Sequence, residues 1–248
     1  MTAARGYSAR VLQRPSATAP GGIVIADIAV AALAAVSLLA GAVVIGQARA
    51  SLDVFLYISE LGALGMPTAS QFQVGFVLVV AGILLVAVVV RDVRTRLPLL
   101  RGVAPAAALV AAAALFLVAA AVPCSSGCPS LLTDAAQWRD WVHIVAAVLA
   151  FVAGCLAMLQ FATARDRWLA RLSTAGGITV GVVAATGGII SLARGNTDIG
   201  STLEYVAAAI GIVWMLAMLI VHALPAPGSQ RPSALDVSLT STSVPNGR

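Results

Sequence analysis

Six long apolar runs, separated by short stretches that hold the charge, organise this chain of 248 residues. The runs span roughly Ile23–Ala48, Phe72–Val90, Val103–Val122, Trp141–Ala164, Thr174–Ala193 and Leu203–Leu224. Each is about twenty residues long, which at a rise of about 1.5 Å per residue crosses about 30 Å of hydrocarbon. The pattern predicts an all-α, polytopic membrane protein: a bundle of six transmembrane helices over residues 22–225. A polar N-terminal tail (1–21) precedes it, and a Ser/Pro-rich, disordered tail (226–248) follows.

The breaks between runs carry helix-end chemistry. Ser70-Gln71-Phe72-Gln73 and Ser201-Thr202-Leu203-Glu204 fit the capping-box pattern, in which side chains satisfy exposed amides at a helix start. Pro105 suits a first turn, where its missing N–H is not needed. The first run follows a polar tail and is too long for a cleavable signal, so it is expected to be retained.

Composition agrees with a chain facing lipid. Hydrophobic residues make up 60% and charged residues 10%, with a mean hydropathy of +0.98. A soluble domain of this size needs far more charge on its surface. All 15 basic residues are Arg, which together with abundant Ala, Val and Gly points to a GC-rich bacterial genome. The basic residues lie between apolar runs rather than on one soluble face, which argues against nucleic acid as a partner.

Arg placement gives the bundle a direction. The N-terminal tail, the segments after the second and fourth runs, and the C-terminal tail hold Arg5, Arg10, Arg14, Arg91, Arg94, Arg96, Arg101, Arg165, Arg167, Arg171, Arg231 and Arg248. The opposite side has only Arg49, Arg139 and Arg194. Positive residues stay cytoplasmic, so both termini are expected inside a bacterial plasma membrane. Tyr57, Trp138, Trp141 and Tyr205 then fall at the outer interface. The long first outer loop, Ser51–Gln71, is half apolar and is able to fold back onto the bundle.

The outer side holds most of the candidate chemistry. Cys124 and Cys128 in PCSSGCP favour a structural disulfide in an oxidising compartment, ahead of a redox pair. No metal site is expected, because His143 and His222 lie about a membrane thickness apart and no ligand set converges. Glu60, Asp140, His143, Arg194, Asn196, Asp198 and Glu204 sit at outer helix ends. Asp140 and His143 are one turn apart on one face. Together these groups are able to form a polar site, and ionisable groups at membrane depth point to function. The plainer reading is that interfacial charges cost little and that Glu204 only completes its capping box. Asp27, inside the first run, has His222 or an inner Arg as a possible neutralising partner. Cys155 reads as packing. Gly177 and Gly181 permit close helix approach, within the chain or as a homodimer face.

The segment Tyr57-Ile58-Ser59-Glu60-Leu61-Gly62 with Phe72 resembles a motif of domain-of-unknown-function family 998, itself akin to Frag/DRAM/Sfk-type membrane proteins. Pro123-Cys124 to Pro129, then Asp140, His143-Ile144-Val145-Ala146-Ala147 and Phe151, resemble its second outer loop and following helix. Glu204-Tyr205 looks like its acidic–aromatic pair. The resemblance covers about residues 20–225. It implies six helices with cytoplasmic termini, and it singles out Ser59, Glu60, His143 and Glu204 as site positions. Eukaryotic relatives of the family are similar to factors in lipid handling.

The functional expectation is therefore a non-enzymatic protein that binds or organises membrane lipids through Ser59, Glu60, Asp140, His143, Arg194 and Glu204, without a cofactor. A small proton-coupled transporter is the alternative, followed by a lipid-modifying enzyme with His143 as base. The spans are aliphatic at mid-depth, and no phosphate loop, nucleophile elbow or Pro-broken helix is present, which counts against both.

Overall fold

The computed structural model describes residues 21–95, 102–163, 167–193 and 197–223. These residues are all-helical, with no strand among them. The helices are α1 (Gly21–Ala50), α2 (Ala69–Val89), α3 (Pro105–Ala121), α4 (Trp138–Phe161), α5 (Arg167–Leu192) and α6 (Thr197–Ala223). A single 3-10 turn, Ser59–Gly62, interrupts the α1–α2 loop. Five helices are long and apolar enough to cross a membrane. α3, at 17 residues, is the shorter apolar helix.

Successive helices run antiparallel, as their contacts show. Gly82 meets Leu38 and Gly41 meets Gly75, pairing α1 with α2. Phe76 packs on Phe116, His143 reaches Ala119, Gly177 meets Met158, and Trp214 reaches Ser173. Each helix packs on the next, and α6 returns to α1 through a much thinner contact. The result is a ring of helices closed by α6, which touches both α1 and α2 thinly.

The tightest joint in the ring is α1 on α2. A Cβ on Gly41 would lie 2.5 Å from the Gly75 carbonyl and 2.9 Å from the Val79 nitrogen. The two backbones touch only because neither position carries a side chain there. The glycines of α5 do a similar job within the chain: Gly177 packs on Met158 and Leu159 of α4, and Gly181 faces Cys155.

The helix ends differ in places from the sequence expectation. α2 starts at Ala69 with Thr68 as its cap residue and no side-chain cap bond. α6 starts at Thr197, so Ser201 and Glu204 stand inside the helix and make no capping box. Ser201 Oγ instead donates to the Asp198 carbonyl at 3.1 Å. The capping box that does form is at α4, between Gln137 and Asp140. Its Gln at the cap position departs from the usual Ser or Thr, which is why the motif hides in the sequence. Pro105 opens α3 as expected.

The end of the ring that carries the 51–68 and 122–137 segments is the long-loop end. Here the first loop folds back onto the helices. Leu61 is fully buried against Ala48 and Phe72. Leu64 N–H donates to the Cys124 carbonyl at 3.1 Å, tying the first loop to the second. At the opposite end Arg91 Nη1 pairs with Asp27 Oδ1 at 3.1 Å, so a loop Arg rather than His222 neutralises that acid. His222 turns back to the Met218 carbonyl of its own helix.

Candidate functional site

Inside the ring lies a cavity of about 460 Å³, open on one side. That volume is within the usual range for small-ligand sites, about 300–1,000 Å³. Four phenyl rings form one continuous wall. Phe72 stacks on Phe76 (5.3 Å between centroids), Phe76 meets Phe116 edge-on (5.5 Å), and Phe116 meets Phe151 edge-on (5.6 Å). Edge-to-face contacts of this kind fix ring orientation as well as burying area. The floor is Met158, Trp214 and Met215. Trp214 is held there by its Nε1–H, which donates to Ser173 Oγ at 2.9 Å.

The cavity is long and asymmetric. On α6 its lining runs from Glu204 to Leu216, about 18 Å along the axis. Almost all of it is aliphatic or aromatic. Its polar groups, Ser59, His143, Glu204 and Tyr205, gather at the long-loop end. Where α1 and α6 meet, Leu39 and Gly46 of α1 and Ala209 and Val213 of α6 line the cavity and are exposed.

Each polar cap group is positioned by the fold. Ile58 N–H donates to Glu204 Oε2 at 2.8 Å, and the Ser59 amide lies beside the same carboxyl. α6 thus holds the start of the 3-10 turn over the cavity. His143 is 7% exposed. Its Nδ1 lies 2.8 Å from the Ala119 carbonyl and 3.1 Å from the Val122 carbonyl, at the frayed end of α3. Its Nε2 is buried without a hydrogen-bond partner among the described residues, and so is the Tyr205 hydroxyl. Two orphaned polar atoms in one cap are uncommon, because buried polar groups are normally paired.

The other expected site residues lie elsewhere. Glu60 faces a separate surface cleft of about 510 Å³, lined also by Tyr57, Cys128, Ser130, Asp134 and Ser191. Its Oε2 accepts from the Tyr57 N–H at 2.8 Å. Burial pushes the Glu60 carboxyl above the usual carboxylate range, against a smaller opposing effect of that hydrogen bond. Burial likewise raises the Tyr57 phenol, opposed by the nearby Ser191 side chain and reinforced by the charges of Glu204 and Glu60. The Tyr57 hydroxyl packs directly on Gly200, where any Cβ would collide with it.

Asp140 is fully buried and committed to architecture. Its carboxylate accepts from the Ser125 N–H (2.7 Å), the Ser125 hydroxyl (2.8 Å to Oδ2) and the Gln137 N–H (2.8 Å). Although one turn from His143, it serves the second loop rather than the cavity. In the same loop Cys124 and Cys128 are joined as a disulfide, with Cα atoms 5.2 Å apart. Arg194 and Asn196 lie outside the described residues. Cys155 is only half-buried and lines the cavity wall.

Sequence reading missed the phenyl wall and Tyr205 as a cap residue. Phe72 and Phe76 share a face at i, i+4 spacing, which was the only local signal. Phe116 and Phe151 join them only through the helix order. No group of three His, Cys, Asp or Glu side chains among the described residues is placed to hold a metal ion.

A ring of long apolar helices around an apolar cavity defines an integral, multi-pass membrane protein. Residues 28–221 match the model of the family described as protein of unknown function DUF998, and the chain belongs to that family. No curated protein and no solved structure matches it.

Proposed function

We propose that this protein binds a membrane amphiphile, with its apolar chain in the cavity and its head under the polar cap. The carrying observation is the asymmetry of the cavity. An apolar shaft about 18 Å long ends in His143, Glu204, Ser59 and Tyr205, and exposed residues of α1 and α6 line it where those two helices meet. Water and ions gain nothing from such a shaft, since a polar solute entering it would leave its hydrogen bonds unmade. A hydrocarbon chain loses nothing there, and the thin α1–α6 joint is the route by which it would enter from the bilayer.

In this reading all six helices span the membrane, with α3 at the lower limit of spanning length. Arg91 and Arg94 stand at the end opposite the long loops, as does Arg171 near the start of α5. By the positive-inside rule that end is cytoplasmic and the capped end faces outward. The fold-back of the first loop, held by Glu204, then roofs the site from the outer side.

Mass spectrometry of lipids retained by the purified protein tests the proposal. One or a few species are expected to be enriched over the host membrane in wild type and depleted in His143→Ala. Glu60→Ala, which faces the separate cleft, is expected to keep the wild-type profile. Identical, unselective profiles for wild type and His143→Ala would reject the reading.

A further inference from the structure

His143 also reports the chemistry of the head it receives. Its Nδ1 sits within hydrogen-bond distance of two backbone carbonyls, Ala119 at 2.8 Å and Val122 at 3.1 Å. Carbonyl oxygens only accept, so Nδ1 must carry the proton. In the neutral imidazole, Nε2 is then a bare acceptor. That atom is buried, belongs to a side chain 7% exposed, and has no partner among the described residues. The Tyr205 hydroxyl, the second orphan in the cap, is able to donate or accept. None of the described residues lining the cavity is Arg or Lys.

These facts discriminate between head groups. A phosphate diester or a carboxylate offers only acceptors, so it would leave Nε2 unsatisfied. It would also carry a charge into an apolar wall with no Arg or Lys to meet it, which is costly. A hydroxyl supplies what each orphan lacks: its O–H is able to donate to His143 Nε2, and its oxygen is able to accept from the Tyr205 O–H.

We propose that the ligand is a long-chain amphiphile whose head is an uncharged hydroxyl, such as a fatty alcohol or a monohydroxylated neutral lipid. This rests on the reading of the cavity as an amphiphile site. Chain identity is left to the shaft, which selects for length and width, while His143 and Tyr205 select the head.

Three probes with the same sixteen-carbon chain separate the possibilities: hexadecanol, the diester methyl hexadecyl phosphate, and hexadecane. Each is doped into nanodiscs carrying the full-length protein, and bound probe is counted by native mass spectrometry. Hexadecanol is expected to be retained about tenfold or more over methyl hexadecyl phosphate, the scale of one unmatched hydrogen bond or buried charge. His143→Asn keeps an N–H near the Nδ1 position and deletes the Nε2 acceptor, so it is expected to bind hexadecanol no better than hexadecane. Equal or tighter retention of the phosphate by wild type would overturn the head-group assignment while leaving the amphiphile site intact. Retention of none of the three above the bulk level would instead reject the site itself. Where His143→Asn does not fold, the wild-type ratio alone decides.

Discussion

The Ile58 N–H donates to Glu204 Oε2 at 2.8 Å, joining residues 146 positions apart in the chain. This bond ties the first loop to the last helix and sets the roof over the cavity. Glu204→Ala removes the acceptor and leaves a partly buried amide unpaired. The expected loss is about 1–3 kcal/mol, read as a lower unfolding temperature in detergent. Hydrogen exchange is expected to rise at residues 57–62. Glu204→Gln retains an oxygen for Ile58 and is expected to lose less. Unchanged exchange in Glu204→Ala would show that the loop is held by other contacts.

Glu60 gives the loop a pH dependence of definite sign. Burial raises its carboxyl above the ordinary value in the folded state, so the folded protein holds this proton more tightly than the unfolded one. Its contribution to stability therefore falls as pH rises from the ordinary carboxylate value through the raised one. Glu60→Gln is expected to flatten that part of the stability profile. Thermal melts from about pH 4, near the ordinary carboxylate value, up to about pH 8 check it. A slope that persists in Glu60→Gln would assign the effect to another group.

Asp140 and His143 are neighbours on one helix face with opposite roles. Asp140 accepts three hydrogen bonds that hold the second loop, so Asp140→Ala is expected to cost about 3 kcal/mol. The probe selectivity of the folded fraction is expected to stay unchanged. His143→Asn is expected to show the reverse pattern, with modest loss of stability and loss of selectivity. Paired melts and probe retention on both variants separate the two. Loss of selectivity in folded Asp140→Ala would place that residue in the binding site after all.

The Cys124–Cys128 bond closes a very short loop, so its effect is small in the chain-entropy account, about 2 kcal/mol. Reductant is expected to lower the unfolding temperature of wild type and not that of a Cys124→Ser/Cys128→Ser variant. Alkylation of the unreduced, purified protein is expected to label Cys155 alone. Labelling of all three cysteines would refute the pairing.

The helices were legible because their apolar length is a local property; the structure moves most of their ends by a few residues, but α5 starts at Arg167 rather than Thr174 and α6 at Thr197 rather than Leu203. The capping boxes were less so. Ser201 and Glu204 carry the right spacing, yet α6 begins at Thr197, and Glu204 is drawn to Ile58 from another part of the chain. No spacing rule reports such a contact. The outer polar group was legible as a list and not as a site. His143, Ser59 and Glu204 meet at one cavity, whereas Glu60 and Asp140 do not, because the side of the loop or helix each occupies is decided by tertiary packing. The phenyl wall needed the order of α2, α3 and α4 in the ring before it could be seen.

The central claim is that the cavity is filled by the chain of an amphiphile, and Gly154 allows a direct test. It lines the cavity, and a Cβ built there meets nothing within 4 Å. Gly154→Phe therefore starts from a clear Cβ position on the cavity lining, and replacing a mid-helix glycine does not weaken α4. Lipids and hexadecanol retained by purified wild type and Gly154→Phe are compared by native mass spectrometry at matched unfolding temperature. The account predicts a stable variant that loses the enriched species. A folded Gly154→Phe that retains the same ligand at the same level would contradict it.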